Sequence, residues 1–224
     1  MEWRIDHGPV YSVLKVRLEP GESVWAEPGA MMLIRGSVDV ETSSGGIFSG
    51  LKRALLGGES FFLNRYTASG ARPAEVWLVP GVPGDIYGVE LRSDRWLVQD
   101  TSYLAHAGNI EIDTKYQGFR GLLAEGELFW LKAEGRGVLW VSSYGAIEEV
   151  EVPPGETLIV DNYHLVAMPY DTDYTISKVG GLKTFLFGGE GFVVEIRGPA
   201  RVLVQTRILP PFAELLARFL PRRD

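Results

Sequence analysis

Short apolar runs separated by Gly, Pro and acidic residues fill most of the chain and predict an all-β fold. Strand-like runs rich in Val, Ile, Leu and aromatic residues include residues 13–18, 147–152 and 200–205. Pro or Gly beside an acidic residue at the junctions supplies the backbone geometry that a chain reversal needs.

The turns reveal an internal repeat. Pro20-Gly21-Glu22 and Pro154-Gly155-Glu156 each separate one strand-like run from a second run that ends in an acid, Glu27 or Asp161. The two passages align without a gap. Because a fixed period indicates a repeat architecture, we interpret them as copies of one unit.

A middle copy fits the same alignment and has diverged most. Ser93-Asp94-Arg95 stands at its turn and Asp100 at its acid. The alignment also matches three apolar residues that follow the acids: Met31, Leu104 and Leu165.

The second halves of the copies agree as well, and each predicts a strand, a turn and a return strand. The blocks that open these strands are residues 57–61, 124–128 and 188–192, and the returns are residues 74–79, 138–141 and 200–205. We interpret each unit as a β-meander of about four strands. The alternative is that any Gly-punctuated β protein shows some self-similarity.

The predicted units span residues 10–82, 84–143 and 145–207. No Ser- or Pro-rich linker separates them, so we expect one domain, residues 1–224, with a shared core. Residues 211–220 predict a C-terminal helix, with Pro211 at its start, Pro221 as its stop and apolar residues at helical spacing.

Charge and composition exclude several classes of protein. With 22 basic and 29 acidic residues the net charge is −7, which argues against a sequence-independent nucleic-acid binder. The N-terminus lacks an apolar leader and no run reaches the length of a membrane span, which predicts a cytoplasmic protein. The absence of Cys removes thiolate metal sites and thiol nucleophiles.

The sequence shows no pattern for a catalytic, cofactor or metal site. Residues 45–52 lack the Gly-Lys-Ser/Thr of a phosphate loop, and His7, His106 and His164 do not have metal-ligand spacing. Asp161 and His164 could share a site, but their position in the repeat favours a surface turn. We therefore predict no catalytic residue, no cofactor and no metal.

Repeated carboxylates are the remaining candidates for chemistry. Glu22, Glu59, Glu156 and Glu190 stand at equivalent turns, which favours a structural role as acceptors of turn N–H groups. An enzyme would instead need two of Glu59, Glu127 and Glu190 to converge within about 5–10 Å.

Several blocks together resemble a known family. They are residues 27–32 (Glu-Pro-Gly-Ala-Met-Met), the Gly-Gly-bounded segment 45–58 that leads into Glu59-Ser60-Phe61-Phe62, and residues 189–192. Over nearly the whole chain the sequence is similar to the altered-inheritance-of-mitochondria 24 family.

The resemblance implies a β-sandwich or short double-stranded β-helix like that of the tryptophan RNA-binding attenuation protein, with the repeats about a pseudo-threefold axis. It also implies homo-oligomers and, for mitochondrial relatives, a role in inner-membrane organisation. It supplies no catalytic residues, and kinship of fold does not license RNA binding.

Three functions stay open at this point. The first is a non-enzymatic scaffold that forms a homo-oligomer, a trimer among the options, with the C-terminal helix capping its own core or docking on a neighbouring subunit. The second is a module that binds a small molecule or lipid, for instance at residues 43–58, with peripheral membrane association. The third is a carboxylate-dependent enzyme.

Overall fold

The computed structural model describes residues 1–44, 62–113, 130–178 and 192–220, and most of the residues in these ranges lie in β-strands. The strands, numbered in chain order, are β1 Glu2–Asp6, β2 Val13–Leu18, β3 Ser23–Ala26, β4 Met31–Arg35, β5 Val38–Ser44, β6 Phe62–Ala68, β7 Ala74–Leu78, β8 Ile86–Gln99, β9 Tyr103–Asp113, β10 Trp130–Ser142, β11 Ile147–Val152, β12 Thr157–Asp161, β13 Leu165–Pro169, β14 Asp173–Lys178, β15 Phe192–Arg197 and β16 Ala200–Gln205.

These strands form three antiparallel sheets. The first has four strands in the order β1-β2-β7-β4, the second has nine in the order β11-β16-β13-β8-β10-β9-β3-β6-β5, and the third has three in the order β12-β15-β14. The predicted all-β class is confirmed.

One pairing scheme occurs in each third of the chain. In the first unit β2 and β4 flank β7 while β3 and β5 flank β6, and in the third unit β11 and β13 flank β16 while β12 and β14 flank β15. In the middle unit the same partners are merged, because both β8 and β9 pair along β10.

The predicted meander is therefore wrong. In a meander each strand pairs with the next along the chain, whereas here the first strand of a unit pairs with its last. Apolar runs and turn residues mark where strands begin and end, but they carry no information on which strands become partners.

The middle unit has three long strands because it lacks the Pro-Gly corners of its neighbours. Gly21 and Gly155 occupy the left-handed region at φ 86° and 83° in the outer corners. At the matching place β8 continues without a break, and Ser93, with φ 82°, is left unpaired between Arg92 and Asp94 opposite β10. The corner has become a β-bulge.

Neighbouring units are joined by further strand pairing. β3 of the first unit pairs with β9 of the second, with Trp25 opposite His106. β8 of the second unit pairs in the same way with β13 of the third, with Val98 opposite Ala167. The arrangement of units about a pseudo-threefold axis stays a prediction, since pairing alone does not define an axis.

The core consists of three apolar clusters, each of which mixes residues from neighbouring units. Leu104 and Trp140 of the middle unit join the cluster around β2 and β7. Leu97 and Trp130 of the same unit join the cluster around β12 and β15. The middle unit thus contributes to the packing on both sides of it.

The C-terminal helix α1 spans Leu209–Ala217, so it begins two residues before the predicted range and ends three residues before its limit. Pro at its first positions fits the fixed φ that a first helical turn needs. Residues 51–56 also have a helix-compatible sequence, which residues 180–183 repeat in part, and both segments lie outside the described residues.

Candidate functional site

Asp161 and His164 lie together in a turn, as predicted, but both residues are half-buried rather than on the open surface. The Asp161 carboxylate accepts the N–H of Tyr163 at 2.9 Å. The backbone carbonyl of Asp161 accepts the N–H of His164 at 2.9 Å. The imidazole Nδ1 of His164 contacts the carbonyl oxygen of Gln205 at 2.6 Å, which ties the turn to β16.

Glu22 fills the predicted role of a turn acceptor. Its carboxylate accepts the N–H of Glu19 at 2.9 Å and lies 2.7 Å from the N-terminal amine. This charge and these hydrogen bonds lower the pKa of Glu22, the amine being the largest cause. Residues 45–58, Glu59, Glu127 and Glu190, and with them the predicted binding loop and enzyme site, lie outside the described residues.

A cluster of two buried and two half-buried side chains, which we call the Glu27 cluster, occupies the joint between the first and second units. Its members are Trp25, Glu27, Tyr103 and His106. Glu27 follows β3 and its backbone N–H donates to the carbonyl of Leu104 at 2.9 Å. The Tyr103 hydroxyl lies 2.7 Å from His106 Nδ1, and the Trp25 and His106 rings stack with centroids 6.2 Å apart.

Burial decides the protonation of this cluster. It raises the pKa of Glu27 from 4.5 to about 7 and lowers the pKa of His106 from 6.5 to about 4. Burial, and then the charge of Glu27, raise the pKa of Tyr103 well above its ordinary value. At neutral pH the imidazole and the phenol are therefore uncharged, while the raised pKa of the Glu27 carboxyl lies near neutrality.

Chemically, the carboxyl of Glu27 can take up or release a proton close to neutral pH. The four members of the cluster include no serine, threonine or lysine nucleophile. In the sequence, Glu27 stands out as a repeated acid, and His106 lies two residues beyond the matched Leu104. The sequence does not show that these two residues belong to one cluster. The pairing of β3 with β9 brings them together, and no local sequence pattern predicts pairing between strands of different units.

Among the described residues, no three His, Asp or Glu side chains come together in a way that could hold a metal. Two open surface grooves, of about 430 and 330 Å³, are lined mainly by charged residues. Their cations have partners on the surface itself, as Arg95 with Asp171 at 2.9 Å and Lys15 with Asp6 at 2.7 Å show. No specific ligand chemistry emerges from either groove.

Six of the described strands lie at sheet edges, and they differ in polarity. β1, β5 and β11 carry charged residues inside the strand, as native edges commonly do to prevent pairing with another chain. By contrast, β4 reads Met-Met-Leu-Ile-Arg and β12 reads Thr-Leu-Ile-Val-Asp, with a charge at the last residue alone. The sixth edge strand, β14, reads Asp-Tyr-Thr-Ile-Ser-Lys, with a charge at each end. Met31, Met32 and Ile159 on β4 and β12 are exposed.

Helix α1 forms a second exposed apolar surface. None of its nine residues is buried, and the apolar side chains that it and the following residues expose are Leu209, Phe212, Leu215, Leu216, Phe219 and Leu220. The Phe212 ring contacts the Tyr144 ring, with centroids 5.6 Å apart, which connects the helix to the junction between the second and third units. Within the described residues, no helix has the length and apolarity to cross a membrane.

Comparisons with known proteins place the chain in a family. The family model described as "Mitochondrial biogenesis AIM24" matches residues 3–207. An uncharacterised protein of Streptococcus pyogenes serotype M6 is 30% identical over 230 residues, which cover 99% of this chain and 92% of that protein. A crystal structure of a Streptococcus pyogenes protein matches with a TM-score of 0.80 and 29% identity, covering 98% of this chain and 99% of the other.

The match to the family model begins in β1 and ends after β16, so it includes all three units and the Glu27 cluster. The resemblance that the sequence blocks predicted is confirmed. The chain belongs to the Mitochondrial biogenesis AIM24 family.

Proposed function

We propose that this chain is a non-enzymatic, cytoplasmic scaffold protein that assembles with copies of itself, and that α1 is one of its docking elements. The observation that carries the proposal is the exposure of an apolar helix. Phe212, Leu215 and Leu216 are 41%, 48% and 45% exposed, and Phe219 just beyond the helix is 79% exposed. Contiguous exposed apolar surface commonly marks an interaction site, because leaving it in water costs free energy.

A second copy suits this helix better than its own sheets. The helix ends with Arg218 in helical conformation and its last turn carries no buried side chain, so it lies on the body without covering a core. Docking against a neighbouring subunit would bury the apolar side chains that the single chain leaves in water.

Light scattering on the full chain and on residues 1–207 tests this proposal. We expect the full chain to form an oligomer and the shortened chain to shift to smaller species. Because no residue of α1 is buried, removing it should leave the β core folded. An unchanged oligomeric state after truncation would contradict the docking role of α1.

A matched pair of substitutions gives the same test in the full-length chain. Leu215→Lys adds one positive charge at an exposed apolar position of α1, while Glu214→Lys places the same side chain on the neighbouring polar position and changes the charge by two. We expect Leu215→Lys to weaken association and Glu214→Lys to leave it nearly unchanged. Equal effects would indicate that added charge, rather than lost apolar contact, is responsible.

The ligand-binding alternative stays a hypothesis, as no described groove favours a particular small molecule. The enzyme alternative also stays untested, because its carboxylates lie outside the described residues. Kinship with the tryptophan RNA-binding attenuation protein remains an expectation about fold.

A further inference from the structure

We propose that β12 of one chain pairs with β4 of a second copy, in the register with Ile159 opposite Leu33. The inference rests on the self-assembly proposed above and names a contact separate from α1. It follows from the two joints that the chain already forms between its own units.

Both joints use the same strands in the same register. Trp25 and Val98 each stand two residues before the repeated acid of their unit, and they lie opposite His106 and Ala167. His106 and Ala167 in turn stand two residues after the matched residues Leu104 and Leu165. Each joint therefore pairs the second strand of one unit with the third strand of the next.

The two strands that would form a third joint are left at sheet edges. The second strand of the last unit is β12, and the third strand of the first unit is β4; neither has a partner on its outer side in the described sheets. Applying the same counting, Ile159 stands two residues before Asp161 and Leu33 two residues after Met31. The register of the existing joints thus places Ile159 opposite Leu33.

Exposure at matched positions shows what these edges lack. Val98 is completely buried under the next unit, whereas Ile159, at the same position of its unit, is 64% exposed. Leu104 and Leu165 are completely buried, whereas Met31 is 45% exposed. The residues are apolar in all of these places, so the outer strands keep the character of a covered joint, while no strand of the described residues pairs with their outer sides.

A second copy of this chain is the occupant that fits both edges at once. β12 is the second strand of its unit and β4 is the third strand of its unit, so together they match the two partners of each existing joint. Each copy of the chain has one β4 and one β12. The contact is head-to-tail, because different surfaces of the two chains meet, so it generates a ring or an open array according to the geometry at each step.

Cross-linking tests the register directly, since the chain has no cysteine of its own. A mixture of full-length Leu33→Cys and Ile159→Cys chains is oxidised mildly and separated without reductant. Opposite residues on antiparallel strands have Cα atoms about 4.5–5.5 Å apart, within the range of a disulfide. We expect a covalent dimer containing one chain of each kind.

The matched control is a mixture of Arg35→Cys and Ile159→Cys chains, which is two residues out of register. Diagonal neighbours lie about 7–8 Å apart, beyond disulfide reach, so this mixture should give little dimer. Equal yields in both mixtures would overturn the proposed register. A monomeric disulfide in a chain carrying both Leu33→Cys and Ile159→Cys would show that β12 closes on its own β4, and it would overturn the contact between copies.

Disruption supplies a second measurement. Ile159→Lys puts a charge at the exposed centre of β12, and we expect it to weaken self-association by about tenfold or more. Val40→Lys is the control, because Val40 is 50% exposed on the charged edge strand β5. It should leave association unchanged.

The outcomes separate this inference from the proposed function. A full chain that is monomeric at every concentration would overturn both. An oligomer that neither cross-links at Leu33 and Ile159 nor responds to Ile159→Lys would overturn the strand contact alone and leave the scaffold proposal in place.

Discussion

Single residues at the joint between the first two units show how burial rather than sequence sets their chemistry. Glu27 is an ordinary corner acid in the sequence, equivalent to Asp161, which accepts a turn N–H. In the fold the charge of Glu27 acts on Tyr103, whose partner His106 stacks on Trp25, and desolvation raises the pKa of Glu27. The sequence identifies this acid as a repeated residue. It does not predict the environment of Glu27, because Tyr103 and His106 belong to a strand of another unit.

Glu27 should make the stability of the protein depend on pH near neutrality. Its pKa in the fold, about 7, exceeds its ordinary value of 4.5, so the fold favours the protonated form. This contribution to stability is complete below about pH 4.5 and is lost as pH rises through 7. Relative to Glu27→Gln, the natural chain should lose about 1 kcal/mol of unfolding free energy between pH 6 and 8.

Urea unfolding of both chains at pH 6, 7 and 8 measures this difference. His106 has the opposite shift, with a pKa lowered to about 4, so its contribution is lost as pH falls from 6.5 toward 4. It is present in both chains and cancels in the comparison. Parallel pH profiles would show that Glu27 is not responsible.

At the scale of elements, strand positions were predictable and strand partners were not. The predicted runs 13–18, 147–152 and 200–205 coincide with β2, β11 and β16. Local hydrophobicity and turn residues determine these limits. The pairing of the first strand of a unit with its last depends on contacts between residues far apart in sequence, which a local pattern does not encode.

Close packing between β9 and β10 gives an element-scale prediction. Gly135 has φ 139°, and a Cβ there would lie 2.1 Å from the carbonyl oxygen of Asn109. Gly135→Ala must therefore push two paired strands apart, and we expect it to destabilise the fold by about 3 kcal/mol or more. Chemical denaturation followed by tryptophan fluorescence measures the loss.

Gly21→Ala is the matched control for this change. Gly21 also has a positive φ, 86°, but a Cβ there meets nothing within 4 Å. The substitution should cost about 1 kcal/mol from backbone strain alone. Similar losses of stability at the two positions would mean that the cost of Gly135→Ala comes from the positive φ and not from the close approach of β9.

For the whole molecule, the edge strands that remain unpaired determine where the surface could bind another chain. In the described sheets the middle unit pairs with strands of both other units, whereas each outer unit pairs with strands of the middle unit alone. The repeat in the sequence allowed three related units to be predicted. The strand order is needed to show which edge strands stay unpaired, because paired and unpaired strands share the same apolar pattern.

Hydrogen exchange at two protein concentrations should detect the proposed contact. Raising the concentration should slow the exchange of amides in β4 and β12, because strand pairing would bury and bond their outward N–H groups. Amides of β3, which already pairs with β9, should exchange at the same rate at both concentrations. Unchanged exchange in β4 and β12 across a concentration range in which the chain oligomerises would contradict the contact.

The two apolar edges lie on different units of the chain, and this separation gives the proposed assembly a direction. One end of any open array would present β4 and the other would present β12. A subunit with only β12 altered could still join at one end, through its intact β4, and would then stop growth there. A small admixture of Ile159→Lys chains should therefore shorten open arrays out of proportion to its share, in the manner of a chain terminator.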